Sequence, residues 1–303
     1  MNTPSPSGRQ HHLVLGDQRA TIAEVGASIR EYAVGERPVV LPFAEDAIAP
    51  AYSGAVLAPW PNRLRDGEYT YDGVEREVPL NEHDRRTALH GLVSYARFSP
   101  VGEPSATSVT LRHDLVPTPG YPWTLRIDAT CTLTTEGLGV QVAATNLGAT
   151  SAPYGVGFHP WLSPGDARVD ECTLRLDAAT RVVNDERLLP VGTRPVGADD
   201  DFRTPRPLDG VVLDDAFVDV VRDADGLSWI HLASPDGRTA SVWMDGSMDT
   251  WQVCTGNGIP GIDRGGVAAE PMSCIADAFR TGERLVHLAP GATHTVTWGL
   301  ALS

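Results

Sequence analysis

No lysine occurs anywhere in this 303-residue chain; all 24 basic side chains are arginines. That absence excludes Schiff-base chemistry on a lysine amine, hence ordinary pyridoxal enzymes and lysine aldolases, and it excludes a Walker-type phosphate loop. Basic clusters are missing too. The longest arginine run is Arg85-Arg86, and 39 acidic residues leave a formal net charge of −15. A nucleic-acid partner needs a clustered basic surface, so none is expected and a small neutral ligand fits better. Cysteine is scarce: Cys131, Cys172, Cys254 and Cys274 form no C-x-x-C pair and no zinc spacing. They read as separate, mostly buried thiols of a reducing, cytoplasmic setting. No apolar run approaches the roughly 18 residues of a membrane span, and Met1 to His12 is polar and Pro/Ser-rich without the apolar stretch of a signal peptide. Neither secretion nor a membrane partner is expected. The first 12 residues read as a flexible start, with His11-His12 inert.

What the chain does hold is alternation. Leu125-Arg126-Ile127-Asp128-Ala129-Thr130-Cys131-Thr132-Leu133, Val140-Gln141-Val142, Leu174-Arg175-Leu176 and Val296-Thr297-Trp298 each repeat with period two, the signature of a strand with one buried face. Between such runs stand Asp66-Gly67, Asp72-Gly73, Glu136-Gly137, Asp225-Gly226 and Asp236-Gly237, pairs that tolerate the positive φ of hairpin turns. No long amphipathic helix is evident. Gly192 to Asp209, rich in Pro, Asp and Arg, reads as a long surface loop. The expectation is an all-β protein, residues 1–303 forming a single domain.

Few side chains can do chemistry. None of the nine histidines is paired at a spacing that would clasp a metal, and His113, His231, His287 and His294 lie in strand-like segments where they need no special role. Two stand out by context. His90 precedes Gly91 at the end of a polar loop, where a ligand or another backbone could approach closely. His159 sits among glycines and aromatics in Gly155-Val156-Gly157-Phe158-His159-Pro160-Trp161, where a core histidine bonded to a main-chain carbonyl is the competing reading. Glu270 ends the apolar run Val267-Ala268-Ala269, so it is either paired structurally or held for proton transfer, with burial raising its pKa. Asp214 and Asp215 form a strand-end acid pair of which one at most can serve a given pocket. Arg63 lies in a turn, where its fork of donors could hold vicinal oxygens.

These segments together resemble the aldose 1-epimerases, or sugar mutarotases. The blocks are Asn62-Arg63-Leu64-Arg65-Asp66-Gly67-Glu68-Tyr69, Leu80-Asn81-Glu82 with Leu89-His90-Gly91, Gly157-Phe158-His159-Pro160-Trp161, Leu213-Asp214-Asp215-Ala216-Phe217, Trp251-Gln252-Val253-Cys254-Thr255-Gly256-Asn257 and Ala269-Glu270-Pro271-Met272. Departures touch neighbours of the polar residues: Leu92 where a second glycine is common, Cys254 where a tyrosine is frequent, and Asp214-Asp215 where Asp-His is common. They place the chain nearer the divergent bacterial branch. The resemblance implies a large antiparallel β-sandwich of the galactose mutarotase-like kind with an open sugar cleft. It implies Glu270 as general base, His159 as general acid, and His90, Arg63 and Asp214 as ligand-positioning residues, with Gln252 lining the cleft.

A pyranose exchanges anomers when a base takes the C1 hydroxyl proton while an acid protonates the ring oxygen, after which the open aldehyde rotates and recloses. One ionised and one protonated group are needed at the same pH, which a carboxylate and an imidazole supply, the imidazolium being favoured by carboxylates such as Asp214. No metal or organic cofactor is required. Asn62 and Gln252 can donate to or accept from hydroxyls, and Trp161, Trp60 and Phe217 are stacking candidates. Arg63 is the one arginine placed in the pocket, which favours an uncharged aldose over a phosphosugar. Two alternatives use the same residues: a non-catalytic carbohydrate-binding domain, and a glycoside hydrolase with Asp214 and Glu270 as its carboxylate pair.

Overall fold

Alternating sequence becomes half-buried strand. Leu125–Thr134 buries Leu125, Ile127, Ala129, Cys131 and Leu133 and leaves the residues between them partly exposed, and in register with it Gly137–Asn146 continues one large sheet. In the computed structural model, which describes residues 5–303, this sheet has nine strands, all neighbouring pairs antiparallel. The second sheet has eight strands, running from Pro190–Pro195 through Ala178–Asn184, Asp214–Val220, Thr250–Cys254 and Val267–Met272 to Gly157–Phe158 and Val56–Leu57, with Trp161–Leu162 also paired to Val267–Met272. The inner faces share one apolar interior. Phe158 of the second sheet lies 4.9 Å from Trp298 of the first, centroid to centroid, and the Trp251 indole donates across to the Ser228 hydroxyl at 3.0 Å. This is the expected all-β sandwich. Among the described residues the only α-helix is Ala278–Thr281.

Two expectations need correction. The start of the chain is not loose through His12: Gln10–Leu15 pairs with Gln18–Ala23 in a separate four-stranded sheet, because His11 and Leu13 alternate inward opposite Ile22 and Ala20. His11 is buried, its Nε2 3.5 Å from Glu24. The part of that expectation concerning residues 1–4 lies outside the described residues. The segment 192–209 is likewise not one loop. Pro190–Pro195 is an edge strand against Ala178–Asn184, and Arg206–Pro207 pairs with Thr173–Leu174; an edge strand needs only one partner, so its prolines are tolerated there.

Three adjacent strands of the second sheet place polar residues side by side. Gln252 stands opposite Glu270, and Cys254 lies between Asp214 and Ala268. Alternation turns Asp215, Val253 and Ala269 to the other face. Above this floor lies a short ribbon, Arg63–Arg65 with Thr87–Leu89, whose start is pinned from two directions: Asp277 N–H donates to the Arg63 carbonyl at 2.7 Å and the Asp277 carboxylate accepts from Arg65 N–H at 2.9 Å. Arg63 therefore begins a strand and is not within the turn itself.

The backbone that approaches Gly91 is that of Ala58. Gly91 has φ +70°, and a Cβ there would sit 2.2 Å from the Ala58 carbonyl oxygen, which accepts from Leu92 and Val93. Both the left-handed conformation and the close approach require glycine. Gly91→Ala should cost at least about 2 kcal/mol; equilibrium urea denaturation would read it as a lower midpoint at unchanged slope, and a wild-type midpoint would contradict the assignment.

Candidate active site

Where the ribbon meets the floor of the second sheet there is a cleft of about 460 Å³. All seven polar residues singled out in the sequence line it: Asn62, Arg63, His90, His159, Asp214, Gln252 and Glu270.

His90 and Asn62 hold each other. Both have left-handed backbone, φ 62° and 57°. The His90 N–H donates to the Asn62 carbonyl at 2.9 Å, and the Asn62 N–H donates to His90 Nδ1 at 3.1 Å. With Nδ1 accepting, the ring proton belongs on Nε2, and His90 is a neutral donor. Burial, then the nearby His159 and Arg63, push its pKa well below the ordinary value.

His159 and Glu270 are in direct contact within the cleft. His159 is fixed through its backbone, donating to the Ala55 carbonyl and accepting from Gly54 N–H, and its Nε2 lies 3.4 Å from Glu270 Oε1. Their other polar atoms, His159 Nδ1 and Glu270 Oε2, are buried with no protein partner among the described residues. His159 is 6% and Glu270 2% exposed. Burial drives both toward their neutral forms: it raises the Glu270 pKa well above the usual carboxylate value, helped by the Asp214 charge and opposed by Arg63, and it lowers His159 to about 4. The expectation that Asp214 would favour the imidazolium is thus overturned, because desolvation of the ring dominates.

Arg63 is held in a fork. Its Nε and Nη2 donate to the two oxygens of Glu82 at 2.9 and 3.0 Å, and Nη2 is 3.5 Å from Asp214 Oδ2. Burial disfavours the guanidinium charge, but Glu82, Asp214 and Glu270 outweigh that effect and keep it firmly protonated. Asp214 accepts from Gln252 Nε2 at 2.7 Å through its other oxygen, whereas its neighbour Asp215 pairs with Arg181. One member of the acid pair serves the cleft, as strand geometry demands.

The aromatic candidates divide. Trp161 lines the cleft, its ring 5.4 Å from that of His159. Trp60 and Phe217 do not: Trp60 packs edge-on against Phe279 with its indole donating to the Ala88 carbonyl, and Phe217 is wholly buried in the core. Sequence reasoning missed Tyr52, which has its ring 4.5 Å from His90 and 6.2 Å from His159. Nothing in Ala49-Pro50-Ala51-Tyr52-Ser53 marks it locally; it reaches the cleft because Ala51 and Tyr52 both adopt positive φ, with the Ala51 carbonyl accepting from the Trp161 indole. Arg85 also lines the cleft, so Arg63 is not alone there, though Arg85 is tied to Glu82 at 3.1 Å. Cys254 is the one half-buried thiol, and burial raises it to about 12, so it is no nucleophile. Among the described residues no group of three or more His, Cys, Asp and Glu side chains is arranged to hold a metal.

An antiparallel sandwich of two large sheets is the fold of the galactose mutarotase-like proteins. The family model of aldose 1-epimerases matches residues 11–300, and this chain belongs to that family. The uncharacterised protein YihR of Escherichia coli K12 is 34% identical over 296 residues, covering 97% of this chain and 93% of YihR. Among solved structures, the fold is shared with a galactose mutarotase-like protein of Clostridium acetobutylicum, TM-score 0.86 at 15% identity, covering 97% of this chain and 98% of that one. The GalM/aldose epimerase homologue of C. elegans gives 0.84 at 19% identity over the same shares.

Neither cleft imidazole should be charged near neutrality. At pH 6, ¹⁵N-resolved NMR should show His90 and His159 neutral, while a freely exposed imidazole, with its pKa of about 6.5, is largely protonated. His90 should show Nε2–H. An imidazolium signal from either ring at pH 6 in the unliganded protein would mean that burial does not dominate their ionisation.

Proposed function

We propose that the protein interconverts the α and β anomers of a free aldose, with Glu270 as base and His159 as acid. The observation that supports this most is the direct contact of the two groups, Nε2 to Oε1 at 3.4 Å, both buried in a cleft that also presents the polar side chains of Asn62, Arg63, His90, Asp214 and Gln252.

Proton arithmetic follows from the shifts. Burial raises Glu270 well above the usual carboxylate value and lowers His159 to about 4, so above about pH 4 and until the carboxyl ionises the pair carries one proton, resting on the carboxyl. Transfer across the contact gives carboxylate and imidazolium without exchange with solvent. The carboxylate then takes the O1 proton while C1=O1 forms, the C1–O5 bond breaks, and the imidazolium delivers its proton to O5. Rotation about C1–C2 and the reverse steps close the ring on the other face. The pair holds one proton before and after, so no net charge builds up. Asp214 accepts from sugar hydroxyls, and His90 Nε2, Arg63, Asn62 and Gln252 donate. Trp161 and Tyr52 offer apolar surface to the ring.

Polarimetry of freshly dissolved α-D-glucose and α-D-galactose tests the reading. Wild type should speed the decay of rotation, while Glu270→Gln and His159→Asn should each lose about 10²–10⁴-fold in kcat/KM, with unchanged circular dichroism and retained sugar binding. Full activity in either variant would sink the roles; sugar binding without acceleration by wild type would mean a silent binding domain.

The pH profile of kcat/KM should be a bell. Its acid limb falls near pH ~4, where the pair takes up a second proton and has no base; its basic limb falls where the pair loses its only proton and has no acid, above the ordinary carboxylate range. A profile flat from pH 3 to 9 would exclude this pair as the acid and base.

A further inference from the structure

We propose that Glu82 is a positioning residue of the cleft: it clamps the Arg63 guanidinium in one orientation, so that the edge of the fork not spent on Glu82 is presented to the substrate. This rests on the reading of the cleft as a sugar site.

Glu82 comes from the Leu80-Asn81-Glu82 block, to which the sequence assigns no role. Its carboxylate is fully engaged. Oε2 accepts from Arg63 Nε at 2.9 Å and from the Thr87 hydroxyl at 2.5 Å; Oε1 accepts from Arg63 Nη2 at 3.0 Å and from Arg85 at 3.1 Å. The bidentate contact fixes the guanidinium plane, which a single contact would leave free to swing. Thr87 belongs to the strand that pairs with Arg63–Arg65, so the clamp is anchored to the same ribbon as the residue it holds. With Nε and Nη2 taken, the donors of Nη1 remain, and their one contact is the 3.5 Å approach to Asn62 Oδ1. Glu82 also balances the Arg63 charge. The groups facing the Glu270 carboxyl are His159, Asp214, Arg63, Cys254 and His90, of which Arg63 alone is a fixed cation. Without Glu82 its charge would bear on Glu270 unopposed except by Asp214.

A double-mutant cycle separates positioning from mere support of the loop. Glu82→Gln in the wild-type background should lower kcat/KM about tenfold or more. In an Arg63→Ala background it should change kcat/KM by less than about twofold, because the residue it acts through is gone. The basic limb of the Glu82→Gln profile should also move to lower pH, since an uncompensated guanidinium eases proton loss from Glu270. Equal losses in both backgrounds, or an unmoved limb, would overturn the proposal. Glu82→Asp is the second variant, needed if the first fails to fold. It keeps the charge but shortens the reach, so kcat/KM falls while the limb stays in place; wild-type kcat/KM would count against the clamp. The same cycle read in sugar affinity by calorimetry keeps the two readings distinct. Coupled losses of affinity with no turnover in wild type would overturn the epimerase and keep the clamp; turnover with additive losses would do the reverse, and absence of sugar binding in wild type would overturn both.

Discussion

The arrangement depends on burying an acid and a base together with little but each other to bond to. Glu270 is almost inaccessible, one of its oxygens has no protein partner among the described residues, and the other lies 3.4 Å from a histidine that is also buried. A lone carboxylate in that position would be costly. Holding one proton between the two groups avoids the cost, because the pair is then neutral at rest. The same feature makes it useful: the carboxyl and imidazole differ only by which of them holds the proton, and a substrate offering one donor and one acceptor can exchange with both.

Such a pair must be held without the usual network of side-chain bonds, and the backbone supplies the rigidity. Glu270 sits in mid-strand with paired neighbours on both sides. His159 lies between two short strands, its main chain bonded to Ala55 and Gly54. The walls are more unusual. Ala51, Tyr52, Asn62 and His90 all line the cleft and all have positive φ, a conformation that costs a non-glycine residue energy and persists only where the surroundings enforce it. Enforcement is visible: the Trp161 indole holds Ala51, and Asn62 and His90 exchange two hydrogen bonds. Gly91 admits the Ala58 backbone beside them.

These features differ in how far the sequence discloses them. Strand alternation is local, so Leu125–Thr134 and its neighbours can be read residue by residue, and the turn pairs Asp66-Gly67 and Asp72-Gly73 do adopt left-handed backbone. Individual polar residues such as His90 and Glu270 stand out by what surrounds them, and ordered blocks tie them to one family. Their consequences are less legible. Whether Trp60 or Trp161 faces the cleft depends on strand pairings far apart in sequence. The charge state of His159 depends on burial contributed by the whole sheet; counting nearby carboxylates gave the wrong sign. Tyr52 was invisible because its approach to both imidazoles follows from two strained residues, which no composition rule anticipates. Edge strands such as Pro190–Pro195 are hidden for the opposite reason, since a strand bonded on one side tolerates the proline that reads as loop.

The charges that remain in the cleft are sorted by the same logic. The charged side chains form a chain in which Arg85, Glu82, Arg63 and Asp214 alternate in sign, each within hydrogen-bonding or ion-pair distance of the next. Beside them are groups that burial keeps neutral, His90, His159 and Glu270. The chemistry such groups support moves a proton in one direction and a second proton in the other, so a strong net field would hinder one transfer as much as it helped the other. Pairing the ions against each other offsets part of their charge at His159 and Glu270. Asp214 is itself bonded to both Gln252 and Arg63; bare, its charge would push the Glu270 proton affinity higher still.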